Sequence, residues 1–90
     1  MTYLVVEHFK NKNAAAVYRR FRDQGRMTPP GVVYVSSWVD ENFERCYQIM
    51  EADDRRLLDA WISKWSDLID FEVHAVMTSS EAAGKITSLL

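Results

Sequence analysis

Ninety residues make one domain and are too few for a two-domain enzyme. With 48% hydrophobic, 12% aromatic and 27% charged residues, the chain is far from the polar, highly charged compositions that stay disordered. Eleven basic against 13 acidic side chains leave a net charge of −2, so no surplus positive field draws it to nucleic acid or to an anionic membrane.

The single cysteine, Cys46, permits neither an intramolecular disulfide nor a multi-cysteine metal cage, which suits a reducing compartment. The longest uninterrupted apolar run is Ala14 to Tyr18. A membrane span needs roughly 20 such residues and a signal peptide core about 7. The expectation is therefore a cytoplasmic protein. A domain of this size buries only about 60 to 65% of the surface its unfolded chain exposes, so association would help to stabilise it.

Thr2 to Phe9 is rich in β-branched and aromatic residues and runs into polar Lys10–Asn13, the pattern of a strand and a turn. From the N-cap residue Asn13, apolar positions Ala14, Val17, Tyr18 and Phe21 recur at helical spacing up to Gly25. Arg19, Arg20 and Arg22 fall in the later turns, where they complement the helix dipole as a solvated end. Met27–Gly31 carries two prolines and a glycine and breaks regular structure. Val32–Asp40 and Phe43–Ala52 then read as the arms of a hairpin around a two-residue turn, Glu41-Asn42. Asp53 is placed to cap a second helix with the stripe Leu57, Leu58, Trp61, Trp65 and Leu68, its two tryptophans assigned to the core. Ile69–Met77 alternates with the period of two of a strand buried on one face. Thr78-Ser79-Ser80-Glu81 fits a capping box opening a short third helix, which Gly84 weakens.

The order is βαββαβ, the ferredoxin-like arrangement: an α+β two-layer sandwich with a four-stranded antiparallel sheet and helices on one face. Residues 1–78 form this domain, and 79–90 a helical tail packing on the domain or on a partner subunit. Two helices cover one sheet face, so the composition of the other is informative. A two-residue turn sets Trp38 opposite Arg45, Ser36 opposite Tyr47 and Tyr34 opposite Ile49, with Val33, Val35, Val39, Cys46 and Met50 under the helices. By the same reasoning Leu4 and Val6 lie under the helices. The open face then carries Tyr3, Phe9, Tyr34, Trp38 and Tyr47 interleaved with Glu7, Arg45, Glu72 and His74. Such an aromatic face marks an interaction surface. Two copies stacked through it would make a twofold homodimeric α/β barrel.

Val5-Val6-Glu7, Tyr34 with Ser37–Asp40, Arg45–Glu51, and Trp61 with Trp65, Leu68 and Asp70–Glu72 together resemble the short bacterial proteins grouped as domain of unknown function 3303. The resemblance spans essentially the whole chain. It implies a ferredoxin-like, dimeric α+β barrel type fold and brings no established activity or catalytic residues. More loosely, the architecture is similar to the barrel superfamily of antibiotic-biosynthesis monooxygenases, haem-degrading monooxygenases and stress-response proteins.

His8, Glu72 and His74 supply the residue types of a two-histidine, one-carboxylate metal site. On this face assignment His8 points to the helix side and the other two away from it, so no metal site is expected. Cys46, mid-strand under the helices, should be an inert thiol. The serines lie in no nucleophile elbow and the three glycines in no phosphate loop, so no cofactor is expected. Glu7 and His74 are the candidate acid–base groups beside buried aromatics, where low dielectric shifts a pKa toward proton transfer; Glu7 paired with Arg45 across the sheet is the structural alternative. Tyr34, Trp38, Arg45, Tyr47 and Glu72 are the candidate ligand-binding residues. Base stacking on the sheet lacks both the aromatic signature and the basic charge that RNA-binding sheets carry. The functional expectation is a small barrel protein binding a small apolar or aromatic ligand between two sheets. The alternatives are an acid–base or cofactor-independent monooxygenase-like enzyme, and a structural or protein-interaction module.

Overall fold

A computed structural model describes residues Met1–Leu90. The strands are β1 (Thr2–Phe9), β2 (Val32–Val39), β3 (Arg45–Ala52) and β4 (Ile69–Val76). The helices are α1 (Ala14–Gln24), α2 (Arg55–Ser63) and α3 (Ser79–Ile86). The sheet is antiparallel between neighbours in the order β2-β3-β1-β4, so the expected βαββαβ order and its C-terminal helix are both present.

Local chemistry accounts for the element ends. The Asn13 side chain accepts from the Ala16 amide at the start of α1, and Gly25, at φ 71°, closes that helix with its N–H on the Phe21 carbonyl. The cap of α2 is Asp54, whose carboxylate accepts from the Arg56 amide, one residue beyond the expected Asp53. Asp53 is used elsewhere: its N–H donates to the Gly31 carbonyl, and a Cβ on Gly31 would come within 2.7 Å of Leu57 Cδ1. Thr78 and Glu81 form the expected reciprocal capping box. Arg20 is not a free helix-end charge. Its guanidinium grips both Asp67 oxygens at 2.7 and 2.6 Å and reaches the Lys64 carbonyl, fastening α1 to the turns after α2. That grip holds the Asp67 carboxyl down at about 2.

The core lies between helices and sheet. Tyr3, Val5 and Phe9 from β1, Cys46, Met50 and Ala52 from β3, and Ile69 from β4 meet Val17 of α1, Leu58 and Trp61 of α2, and Trp65 just beyond it. The pairings Tyr3↔Met50, Glu7↔Cys46, Tyr3↔Ala75 and Glu7↔Phe71 place the odd residues of β1 on the helix side. This inverts the expected facing of β1, which put Leu4 and Val6 there. The physical reason is size: the gap between sheet and helices is filled by Tyr3 and Phe9, which bury more apolar area than Leu4 and Val6 would.

The hairpin register also differs. Trp38 pairs with Tyr47, Ser36 with Ile49 and Tyr34 with Met50, and a bulge at Val35 interrupts the ladder. The turn is longer than two residues because the Asp40 carboxylate accepts from the Asn42, Glu44 and Arg45 amides, with Phe43 at φ 57°. The bulge then carries Tyr34 to the helix side together with Ser37 and Val39, leaving Val33, Ser36 and Trp38 on the open side.

Candidate functional site

The inverted β1 carries a carboxylate into the interior. Glu7 is 7% exposed and Gln48, its neighbour on β3, 1%. The Gln48 amide donates to Glu7 Oε2, and no cation closes on that carboxylate. Burial disfavours its ionised form more strongly than the Gln48 bond and the positive charge of Arg26 favour it, so the Glu7 pKa is raised from its ordinary 4.5 to about 7.

Beside Glu7 is a cavity of about 170 Å³ between the sheet and the helices. Its apolar wall is Phe9, Val17, Phe21, Val39, Trp61, Trp65 and Ile69; its polar groups are Glu7, Gln48, Tyr18, Ser37 and Arg26, with Cys46 between. Burial and the neighbouring Glu7 push the Cys46 thiol up to about 12, so it is the unreactive thiol expected. Burial also raises the Tyr18 phenol, which makes edge contacts with Phe9 and Phe43. One wall is ordered by an indole clamp: Trp61 and Trp65 both donate Nε1–H to the Arg26 carbonyl, at 2.9 and 3.0 Å. The Arg26 guanidinium lies 3.6 Å over the Tyr34 ring, and the Tyr34 hydroxyl is 2.7 Å from Ser37 Oγ.

The residues expected to form one site are thus divided between two faces. Glu7 lines the cavity, and Tyr34 braces its rim through Arg26 and Ser37. Trp38, Arg45, Tyr47, Glu72 and His74 lie on the open face. The expected Glu7–Arg45 pair is absent because the two side chains leave the sheet on opposite sides. His8, expected on the helix side, is on the open face, where Glu72 lies 3.3 Å from its Nε2 and 2.7 Å from His74 Nε2. Hydrogen bonds to His74 and His8 hold the Glu72 pKa below the usual range. The three side chains do converge, although no trio of His, Cys, Asp or Glu is arranged to hold a metal ion. Sequence reasoning missed Arg26, Gln48, Ser37 and Tyr18 as cavity residues. Gln48 carried a usable signal, an uncharged polar residue in phase with Cys46 and Met50 on the buried face of β3.

A four-stranded antiparallel sheet in split-βαβ order with helices packed on it defines a ferredoxin-like α+β sandwich domain. The chain matches the family Domain of unknown function (DUF3303) over residues 1–90 and belongs to it. Among proteins of curated function none matches. Among solved structures, Atu4242 from Agrobacterium tumefaciens is similar at TM-score 0.51 and 17% identity, over 88% of this chain and 96% of that one. Rv0793 from Mycobacterium tuberculosis is similar at TM-score 0.50 and 11% identity, over 88% and 97%. An antibiotic biosynthesis monooxygenase is similar at TM-score 0.49 and 18% identity, over 87% and 98%. At such identities the likeness to Atu4242 and Rv0793 is one of fold. No helix of the protein is long and apolar enough to cross a membrane.

Proposed function

We propose that this domain binds a small, largely aromatic molecule in the cavity between helices and sheet, and that Glu7 is its acid–base group. The observation that carries this reading is a carboxyl group on the wall of an apolar cavity with a pKa of about 7 and no cation closed on it. Buried ionisable groups without a partner destabilise a fold, and they recur where a proton must be exchanged near neutral pH. The sequence-based expectation of a ligand between two sheets is thereby moved to the helix side. A cavity of about 170 Å³ suits a ring or two rather than an extended substrate.

The open face supports a second component of the proposal, a homodimer. Trp38 is 65% exposed there and Val33 56%, and the tail ends in Leu89 and Leu90, which reach no core. Two copies stacked through this face would cover Trp38, and the tail would pack on the partner.

The test uses the three tryptophans as internal reporters. Titration with phenol, followed by the indole N–H resonances, should shift Trp61 and Trp65 while leaving Trp38 in place, and Val17→Phe, which fills the cavity, should abolish the shifts. Phenol moving Trp38 alone, or no indole at all, refutes the cavity as the ligand site.

A further inference from the structure

We infer that the ligand is a planar organic anion with its charge on oxygen, and that Arg26 is the residue that binds this oxygen; the inference rests on the cavity being the ligand site. Arg20, Arg22, Arg55 and Arg56 each close on a carboxylate. Arg26 closes on no carboxylate, acting on Glu7 only through space, and its guanidinium donates no hydrogen bond within the protein, yet it lines the cavity. A half-buried guanidinium with unspent donors is costly unless an anion arrives to complete it.

The side chain is also aimed. Its carbon centre sits 3.6 Å over the Tyr34 ring and 5.2 Å from the Phe21 ring centroid. Stacking occupies the face of the guanidinium and leaves its in-plane N–H groups free for a carboxylate or enolate. The backbone beneath is anchored as well. Two indole N–H groups hold the Arg26 carbonyl, and Lys64 Nζ holds that of Met27, which occupies a left-handed conformation at φ 64°. A non-glycine residue persists there only where its surroundings over-determine it, a frequent mark of a ligand clamp.

The charge balance agrees. Glu7 from β1, Cys46 from β3 and Tyr18 from α1 are the titratable groups facing the cavity beside Arg26. All three have pKa values raised by burial, so at pH 6 they are predominantly neutral and Arg26 is the one charge on the cavity wall. Glu7 in its protonated form can donate to a second ligand oxygen, so one ring with two oxygen functions would bridge both polar poles.

Benzoate and its neutral counterpart benzamide distinguish this from non-selective aromatic binding, titrated at pH 6 with the Trp61 and Trp65 indole signals as readout. Benzoate should bind about tenfold or more tightly than benzamide. Arg26→Gln should erase that preference while benzamide binding persists, which also shows that the variant is folded; Arg26→Lys should retain part of it. Raising the pH to 8 should weaken benzoate, because Glu7 then shares its negative charge. Equal affinity for the two ligands, or a preference that survives Arg26→Gln, overturns the anion assignment. In that case benzamide shifts leave the cavity reading standing, whereas silence from both ligands brings down the two together.

Discussion

Glu7 is the residue whose burial ties the stability of the fold to pH. Its carboxyl keeps its proton to about pH 7 in the folded chain and releases it near 4.5 when unfolded. The folded state therefore binds more protons across that interval. The contribution to stability is full below about pH 4.5 and is lost as pH rises through 7. The loss should be on the order of 3 kcal/mol. Urea melts at pH 5 and pH 8 check this: Glu7→Gln should be markedly less pH-sensitive than the wild type, and the comparison isolates Glu7 from every other titrating group. Identical pH dependence in the two proteins would show that the carboxyl is solvated and charged. Glu7 was a candidate from sequence because the expected facing set it beside the aromatics Trp38 and Tyr47, on the side of the sheet opposite to the one it occupies. Its direction was not legible, because both parities of Thr2–Phe9 are apolar enough to face a core, and only the volume to be filled under the helices selects Tyr3 and Phe9.

At the scale of elements, the informative features are departures from regularity. A two-residue hairpin turn and strict alternation were the simplest reading of Val32–Ala52. A carboxylate bonded to three backbone amides and an extra residue at Val35 moved the pairing and put Tyr34 on the cavity side. Neither device has a strong sequence signal, since Asp40 is unremarkable just past a strand end and Val35 is unremarkable inside one. The segment between α1 and β2 is similar. Its prolines announce a break, but its fixed position comes from Trp61 and Trp65, one helical turn apart, sharing the Arg26 carbonyl. The sharing predicts non-additivity. Trp61→Phe or Trp65→Phe alone leaves that carbonyl one donor, whereas the double variant orphans it. The double-mutant cycle, measured by denaturant melts, should show an extra cost of about 1 kcal/mol beyond the sum. Additive costs would mean that the indoles contribute packing alone.

For the molecule as a whole, the open face is the surface that the proposed homodimer would cover. The protein spans 48 × 30 × 17 Å, thin in one direction, as a single sheet covered by helices on one side would be. Its C-terminal helix has no buried residue. If a second copy covers this face, sedimentation of the wild type should report a dimer, and Trp38→Asp a monomer with unchanged far-ultraviolet circular dichroism. Removal of residues 79–90 should weaken the dimer while leaving the melting of the sandwich nearly unchanged, because the tail adds nothing to the core. A wild-type monomer at high protein concentration would refute the barrel.

Periodicity, caps and breakers in the sequence were enough for element order, fold class and the buried tryptophans, because these depend on interactions within a few residues or on one unambiguous stripe. Facing and register were left to tertiary structure. A strand that is apolar on both parities carries no local preference, and a turn or bulge displaces every pairing beyond it. The candidate site was decided there too. Glu7, Gln48 and Arg26 are far apart in the chain and acquire a shared environment only when the helices close over the sheet and exclude water from between them.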